Sequence, residues 1–233
     1  MVRSPSAPLR SQLLRHQHCS LAGAGLVTDA RPLIAAELQA DPSLLTRELQ
    51  TGPGLHFTAR LLRAADRERL GAYFDSLTDA VTGMYGPHPL NTEHARVLCN
   101  DVNYAESLRF VVDIDGAIQG YFILDMGLRP QEAERYVNHG TPLHADYCCT
   151  FAPSVADAYL EQGVGTALMP LVMEAARRLG RSRIVLMGGV RGDNPRAQHF
   201  YRKHGFVEVG HFTTGGDLDN LDMALDLKAQ EDR

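Results

Sequence analysis

The segment LHFTARLL at residues 55–62 alternates apolar and polar positions, the two-residue period of a strand with one buried face. The period then lengthens: AADRERLGAYFDSLTDAV spaces Leu70, Phe74, Leu77 and Val81 at helical intervals and predicts one helix. YGPHP reads as a loop, and NTEHARVLCN as a second helix capped by Asn91 or Thr92. In SLRFVVDIDGAIQGYFILDMG two apolar runs flank Asp115-Gly116, a strong signal for a hairpin turn.

RPQEAERYVNHG reads as a short helix or an insertion, and HADYCCTFAPSV as a strand. A helix from Thr166 to Leu179 carries Leu168, Leu171, Val172, Ala175 and Leu179 on one face. RIVLMGGV is apolar throughout, as a strand buried on both sides of a parallel pair requires. Asn194 and Pro195 open a further helix that Gly205 closes, and the strands FVEVGHF and NLDMALDL follow. This order predicts an α/β (α+β) domain with a mixed sheet and a strand–helix–strand crossover at its centre.

Upstream of Leu55 the signals are helical. Asp41-Pro42 is an N-cap followed by proline at the first helical position, and Gly52 would end that helix. The first 28 residues hold Arg3, Arg10 and Arg15 but no Asp or Glu. That composition suits a poorly ordered tail, with an organelle transit peptide as the alternative. Residues 1–54 are therefore expected as an N-terminal extension and 55–228 as the main domain.

Composition narrows the classes of function. A formal charge of −5 argues against a sequence-independent nucleic-acid binder, and no stretch approaches the roughly 20 apolar residues of a membrane span. The four cysteines, Cys19, Cys99, Cys148 and Cys149, form no CxxC pair. Small buried apolar roles, a reducing compartment and a cytoplasmic location are expected, with no metal.

The chemistry concentrates in YLEQGVGTALMP, residues 159–170, where two glycines precede an apolar helix. The first turn of a helix has unpaired N–H groups and the positive end of the macrodipole, so Gln162 to Ala167 would attract phosphate. Glycine lets the backbone approach that anion without a Cβ between them. A dinucleotide-binding loop needs a third Gly or Ala where Leu168 stands, and a Walker loop needs GK(S/T), which is absent.

VADAYLEQGVGTALM resembles the acetyl-CoA loop, (R/Q)-x-x-G-x-(G/A), of the GNAT superfamily of N-acetyltransferases. NPRAQHFYRKHGF resembles the helix that follows in the same superfamily, and the two motifs flank the apolar strand in the right order. The resemblance covers roughly Leu55 to Leu227. It implies a GNAT-like, mostly antiparallel sheet with a central parallel crossover, flanked by helices, and acetyl-CoA as cosubstrate. Transferred onto this chain, the cofactor-binding positions are Val155, the loop Gln162, Gly163, Val164, Gly165, Thr166 and Ala167, then Asn194 and Tyr201. Tyr201 would be the general acid for the departing thiolate.

The base that takes the amine proton would come from Asp146, His144 or Asp193, with Asp146 the first candidate. The acceptor would be a small-molecule or protein amine, with Tyr85, His88, Tyr136 and His139 as candidate lining. A homodimer is compatible with this reading; nucleic acid and membrane are not expected as partners. Two departures stand out: Leu160 replaces the loop's usual Arg or Gln, and Pro153 removes an N–H from the strand that faces the cosubstrate. An acetyl-CoA-binding sensor or interaction module with little catalysis is the alternative.

Overall fold

The computed structural model describes residues 31–228; the tail to residue 28 with its arginines and Cys19 lies outside them. The chain opens with helix α1 (Ala35–Ala40), a 3-10 turn over Pro42–Leu45, and strands β1 (Arg47–Gln50) and β2 (His56–Leu61). Helices α2 (Arg67–Asp75), α3 (Asp79–Thr82) and α4 (Thr92–Asn100) lead to the hairpin of β3 (Ser107–Ile114) and β4 (Ala117–Met126). Helix α5 (Pro130–Asn138), strand β5 (Cys148–Val155), helix α6 (Val164–Arg178) and strands β6 (Arg183–Leu186) and β7 (Val190–Arg191) form the centre. Helix α7 (Pro195–Lys203) and strands β8 (Val207–Thr214) and β9 (Leu218–Asp226) close the chain.

The sheet runs β1-β2-β3-β4-β5-β6-β9-β7, with β8 also on β9. Every pairing is antiparallel except β5 with β6. This is the α/β (α+β) architecture expected, with the β5–α6–β6 crossover at its middle. Period-2 alternation sorts the side chains. Leu108, Phe110 and Val112 face the core under α6, while Val111, Tyr121 and Ile123 face α2 and α4. Cys148 and Cys149, adjacent on β5, are both buried and free.

Three local readings are revised. The helix expected from Asp41 to Gly52 is one 3-10 turn, capped as read because the Asp41 side chain accepts the Ser43 N–H, and then a strand. Arg47–Gln50 pairs with β2, so the sheet's first strand lies upstream of Leu55. Leu33, Leu38 and Leu45 belong to the main core, and Arg47 reaches Glu174 of α6 at 3.0 Å. Residues 33–50 are thus packed into the same core as the rest of the domain. The helix expected from Ala64 to Val81 breaks after Asp75, where α2 ends, and the short α3 starts after Thr78.

The third revision shapes the function. RIVLMGGV does not continue as a strand: β6 stops at Leu186, and Gly188 and Gly189, both at φ +72°, turn the chain away to β7 on β9. The last link from β6 to β5 is the Met187 N–H to the Phe151 carbonyl at 2.9 Å. Beyond it the second half of β5, Ala152–Val155, is paired only with β4. The sheet is open there.

Candidate active site

A cleft of about 700 Å³ occupies this opening. It passes from one face of the sheet to the other. On one side it is bounded by Val164, Phe200 and Tyr201 of α6 and α7, on the other by Val81, Met84 and Tyr85, with Pro153–Val155 between them.

Hydrogen-bond direction along β5 decides what its backbone offers. The Ala156 N–H donates to Gln119 of β4, while the Phe151 carbonyl accepts from Met187. Backbone groups alternate sides along a strand, so residues 153 and 155 point toward the opening. Pro153 therefore breaks no sheet hydrogen bond, and it removes one donor from the cleft. The Val155 N–H, two residues on, faces the same way. Ser154 points to the α2 side, where its hydroxyl lies 2.8 Å from that of Tyr73.

The start of α6 supplies further donors. The first intrahelical rung runs from the Ala167 N–H to the Gly163 carbonyl at 2.9 Å, which leaves the amides of Val164, Gly165 and Thr166 ahead of it. No acidic side chain occupies that first turn, so the dipole's positive end is not offset. Helix α6 runs on through Pro170, which is exposed.

The two glycines have reasons that sequence reasoning missed. Gly163 sits at φ +83° as the N-cap, and a Cβ there would lie 3.4 Å from Thr51 Cβ. A Cβ at Gly165 would meet the Phe200 ring at 3.0 Å. The first glycine thus permits a left-handed turn resting on the N-terminal segment, and the second permits α7 to approach α6.

Of the transferred cofactor positions, Val155, Gly163, Val164, Gly165, Thr166, Asn194 and Tyr201 line the cleft. Two do not. The Gln162 side chain folds back to donate to the Ala158 carbonyl, and the Ala167 N–H is spent on the helix's first rung. Asn194 caps α7 by accepting the Ala197 N–H at 3.1 Å, which leaves its NH2 group for a ligand. Tyr201 is 6% exposed, packed on Phe200 and Phe206, and burial pushes its phenol well above the usual range. Its proton is retained at neutral pH.

The base candidates fall elsewhere. Asp146 and His144 lie 3.6 Å apart, both exposed, before the first residue of β5. The opening is at the other end of that strand, roughly 20 Å away at 3.3 Å per residue. Asp146 is therefore not positioned as the base. Asp193 is exposed and held by Arg191 at 2.8 Å, whose guanidinium keeps its carboxyl below the usual range. Among the candidate acceptor residues Tyr85 lines the cleft, with His88 behind it. Tyr136 is fully buried with its hydroxyl on the Met223 carbonyl, and His139 lies by Asp222, both away from the opening.

Helix α7 adds polar side chains that the motif did not single out. Arg196, His199 and Lys203 line the cleft, and the Lys203 Nζ is 3.5 Å from the Thr166 Oγ1. Their i, i+3, i+7 spacing was a readable sign that they share a face. Arg196 and Lys203 provide positive charge beside the loop where Leu160 provides none. Among the described residues no cluster of His, Cys, Asp or Glu is arranged to hold a metal ion.

A sheet opened between two parallel strands, with a glycine-led helix start at the opening, defines the acetyltransferase class of fold. The chain belongs to the acetyltransferase (GNAT) family, whose model matches residues 73–206. Solved structures agree on the fold. The GNAT domain of S. lividans PAT is 18% identical with a TM-score of 0.63, covering 79% of this chain and 98% of that one. Mycobacterium smegmatis RimJ, in complex with CoA-disulfide, is 15% identical with a TM-score of 0.61, covering 79% and 88%. Salmonella typhimurium yncA, described as a putative acetyltransferase with its cofactor acetyl-CoA, is 19% identical with a TM-score of 0.55, covering 73% and 94%. No curated protein matches the sequence. The protein is an acyltransferase of this family.

Proposed function

We propose that the protein transfers the acetyl group of acetyl-CoA to a primary amine by direct attack. One observation carries this: the cleft joins the free amides of α6, the open backbone of β5 and the buried Tyr201 hydroxyl in a passage that reaches both faces of the sheet. The residues suit the cosubstrate. The Val164–Thr166 amides and the Arg196 and Lys203 charges fit a pyrophosphate, and the Val155 N–H fits the amide-bearing arm or the thioester carbonyl.

Acetyl-CoA would supply an activated acyl group with a thiol leaving group. The amine must arrive neutral, entering from the Tyr85 side, so that its lone pair can form the C–N bond as the C–S bond breaks. Tyr201, kept protonated by burial, would give its proton to the departing sulfur. The amine's surplus proton would leave on the Tyr85 side, where His88 Nε2 lies 3.5 Å from the Tyr85 hydroxyl. Pro153 favours the second reading, an acetyl-CoA-binding module, since it removes one donor from the cleft.

Thiol release on a panel of amines, run beside acetyl-CoA calorimetry, separates the two. Turnover on at least one amine supports the enzyme. Tight acetyl-CoA binding with no turnover on any amine supports the module.

A further inference from the structure

On the α2 and α4 side, a second recess of about 250 Å³ opens between β3, β4 and the start of α5. Ser107, Arg109, Asp125, Arg129 and Thr150 line it, with Glu106 exposed beside them. It opens on the same face of the sheet as the acceptor side of the cleft. Arg109 pairs across the sheet with Ile123, and Ile123 with Ala152, the neighbour of Pro153. Two strand spacings, roughly 10 Å, separate Arg109 from the opening on the same face. A polar path also connects them: His88 Nε2 lies 3.5 Å from the Tyr85 hydroxyl and 3.2 Å from that of Tyr121, beside Arg109.

Arg109 is anomalous. Arg60, Arg135 and Arg178 are largely buried too, and each holds a carboxylate, on Asp66, Asp222 and Glu174 respectively. Arg109 makes no ion pair among the described residues, and its buried Nε has no hydrogen-bond partner. A half-buried guanidinium that faces a recess without a counter-charge is placed to receive one from a ligand. Of the two carboxylates at the recess, Glu106 is exposed, and Asp125 is engaged by the Ser107 hydroxyl and lies 4.0 Å from Arg129. Arg129 in turn spends an N–H on the Met187 sulfur at 3.1 Å, a weak acceptor. Met187 is the residue whose N–H makes the last link before the sheet opens.

The acceptor side of the cleft itself is apolar or neutral at Val81, Met84, Tyr85 and Ser154, while Glu161 lies on the loop into α6. We infer that the acceptor is a small amine bearing a carboxylate, which Arg109 and Arg129 receive while the amine reaches toward Pro153 and Ser154. This rests on the acetyltransferase reading above and names its acceptor class. A planar guanidinium pairs with a carboxylate through two parallel N–H bonds, and exchange of the Arg129–Met187 contact for such a bond is favourable. A diamine or polyamine would meet the same two guanidiniums, with Asp125 already committed and only the exposed Glu106 to receive it.

The test uses α- and ω-amino acids, their carboxamides and diamines of matched length as acceptors with acetyl-CoA. Amino acids should exceed the matching carboxamides and diamines at least about 10-fold in kcat/KM. Arg109→Gln should raise KM for the carboxylates by about 10- to 100-fold, the loss of a charge-assisted pair. It should leave carboxamide KM and acetyl-CoA affinity unchanged, and Arg109→Lys should restore part of the loss. Unchanged acetyl-CoA affinity also shows that the variants are folded. Carboxamides or diamines used as well as amino acids would overturn the inference, as would an Arg109→Gln variant that weakens all acceptors alike. Calorimetry of the same amino acids with the CoA-bound protein reads the recess without turnover. Binding of carboxylates that Arg109→Gln abolishes supports the recess even if no amine is acetylated, and absence of binding refutes it.

Discussion

Replacing Gly163 by alanine isolates the backbone that sets the start of α6. The residue sits at φ +83°, and a Cβ there would be 3.4 Å from Thr51 Cβ and 3.7 Å from Pro53 Cδ. That is contact without overlap, so the penalty is conformational. An L-residue held in the left-handed region costs about 1–2 kcal/mol. If the loop keeps its shape, the cost appears as stability, a fall of about 2–8 °C in Tm for a domain of this size. If the loop relaxes, the Val164–Thr166 amides lose their common aim. Restoring it on binding then weakens acetyl-CoA by about 5- to 30-fold, at 1.4 kcal/mol per factor of ten. Thermal unfolding and acetyl-CoA calorimetry together should recover the 1–2 kcal/mol. Gly163→Asn is the control, because asparagine tolerates this region better and should recover part of both. An alanine variant with Tm and Kd both unchanged, or an asparagine variant no better than alanine, refutes the reasoning.

Tyr201→Phe should retain fold and acetyl-CoA affinity while turnover falls about 100-fold, the low end for a general acid. Because burial raises this phenol, the wild-type rate should fall only at strongly alkaline pH as the acid is lost, and stopped-flow pH profiles of the variant should lack that limb. Leu38→Ala removes a fully buried side chain upstream of the family match and should cost about 2–5 kcal/mol in urea unfolding, whereas deletion of residues 1–28 should leave acetyl-CoA binding intact. His88 has its pKa pushed down to about 4, chiefly by burial, so between that value and about 6.5 the unfolded chain takes a proton that the folded one refuses. Stability should fall as pH drops through this window, by on the order of 1 kcal/mol after screening, more in wild type than in His88→Gln; parallel curves would exclude it.

What was legible in the sequence was local. Asn91 and Asn194 cap helices through the N–H groups of His94 and Ala197, because a short polar side chain ahead of an apolar run has that option nearby. Asp115 and Gly116 turn the hairpin at φ +51° and +82°. The cleft's loop was equally visible, since its glycines and the helix after it are adjacent in the chain. Arg47–Gln50 was not, because RELQ carries no apolar alternation and becomes a strand only through β2 beside it and Glu174 beneath Arg47. The distance of Asp146 from the opening, and the isolation of Arg109, also depend on strand register. Residue type alone does not reveal either.

The opening between β5 and β6 is the least local feature and the one on which the chemistry depends. It exists because the chain leaves β5 after Met187 through Gly188 and Gly189. A Cβ at Gly189 would meet the Phe212 ring at 2.7 Å and the Leu221 carbonyl at 2.8 Å, so this turn is pressed against β8 and β9. Its other side is fixed from α5, where the buried Glu132 accepts the Gly188 N–H at 3.0 Å. Helix α5 is anchored in turn by Arg135, which grips the fully buried Asp222 of β9 at 2.9 and 3.0 Å and lies 3.9 Å over the Phe212 ring. The segment that reads as a short helix or an insertion in the sequence is a helix, and it acts as a strut that holds the sheet apart. Pro153 fits the same logic: a proline is excluded from a central strand by the ladder bond it cannot donate, and here that ladder has already ended. The strut that makes room for the cosubstrate also makes the proline tolerable, and the Val155 N–H becomes the β5 donor left to serve the opening.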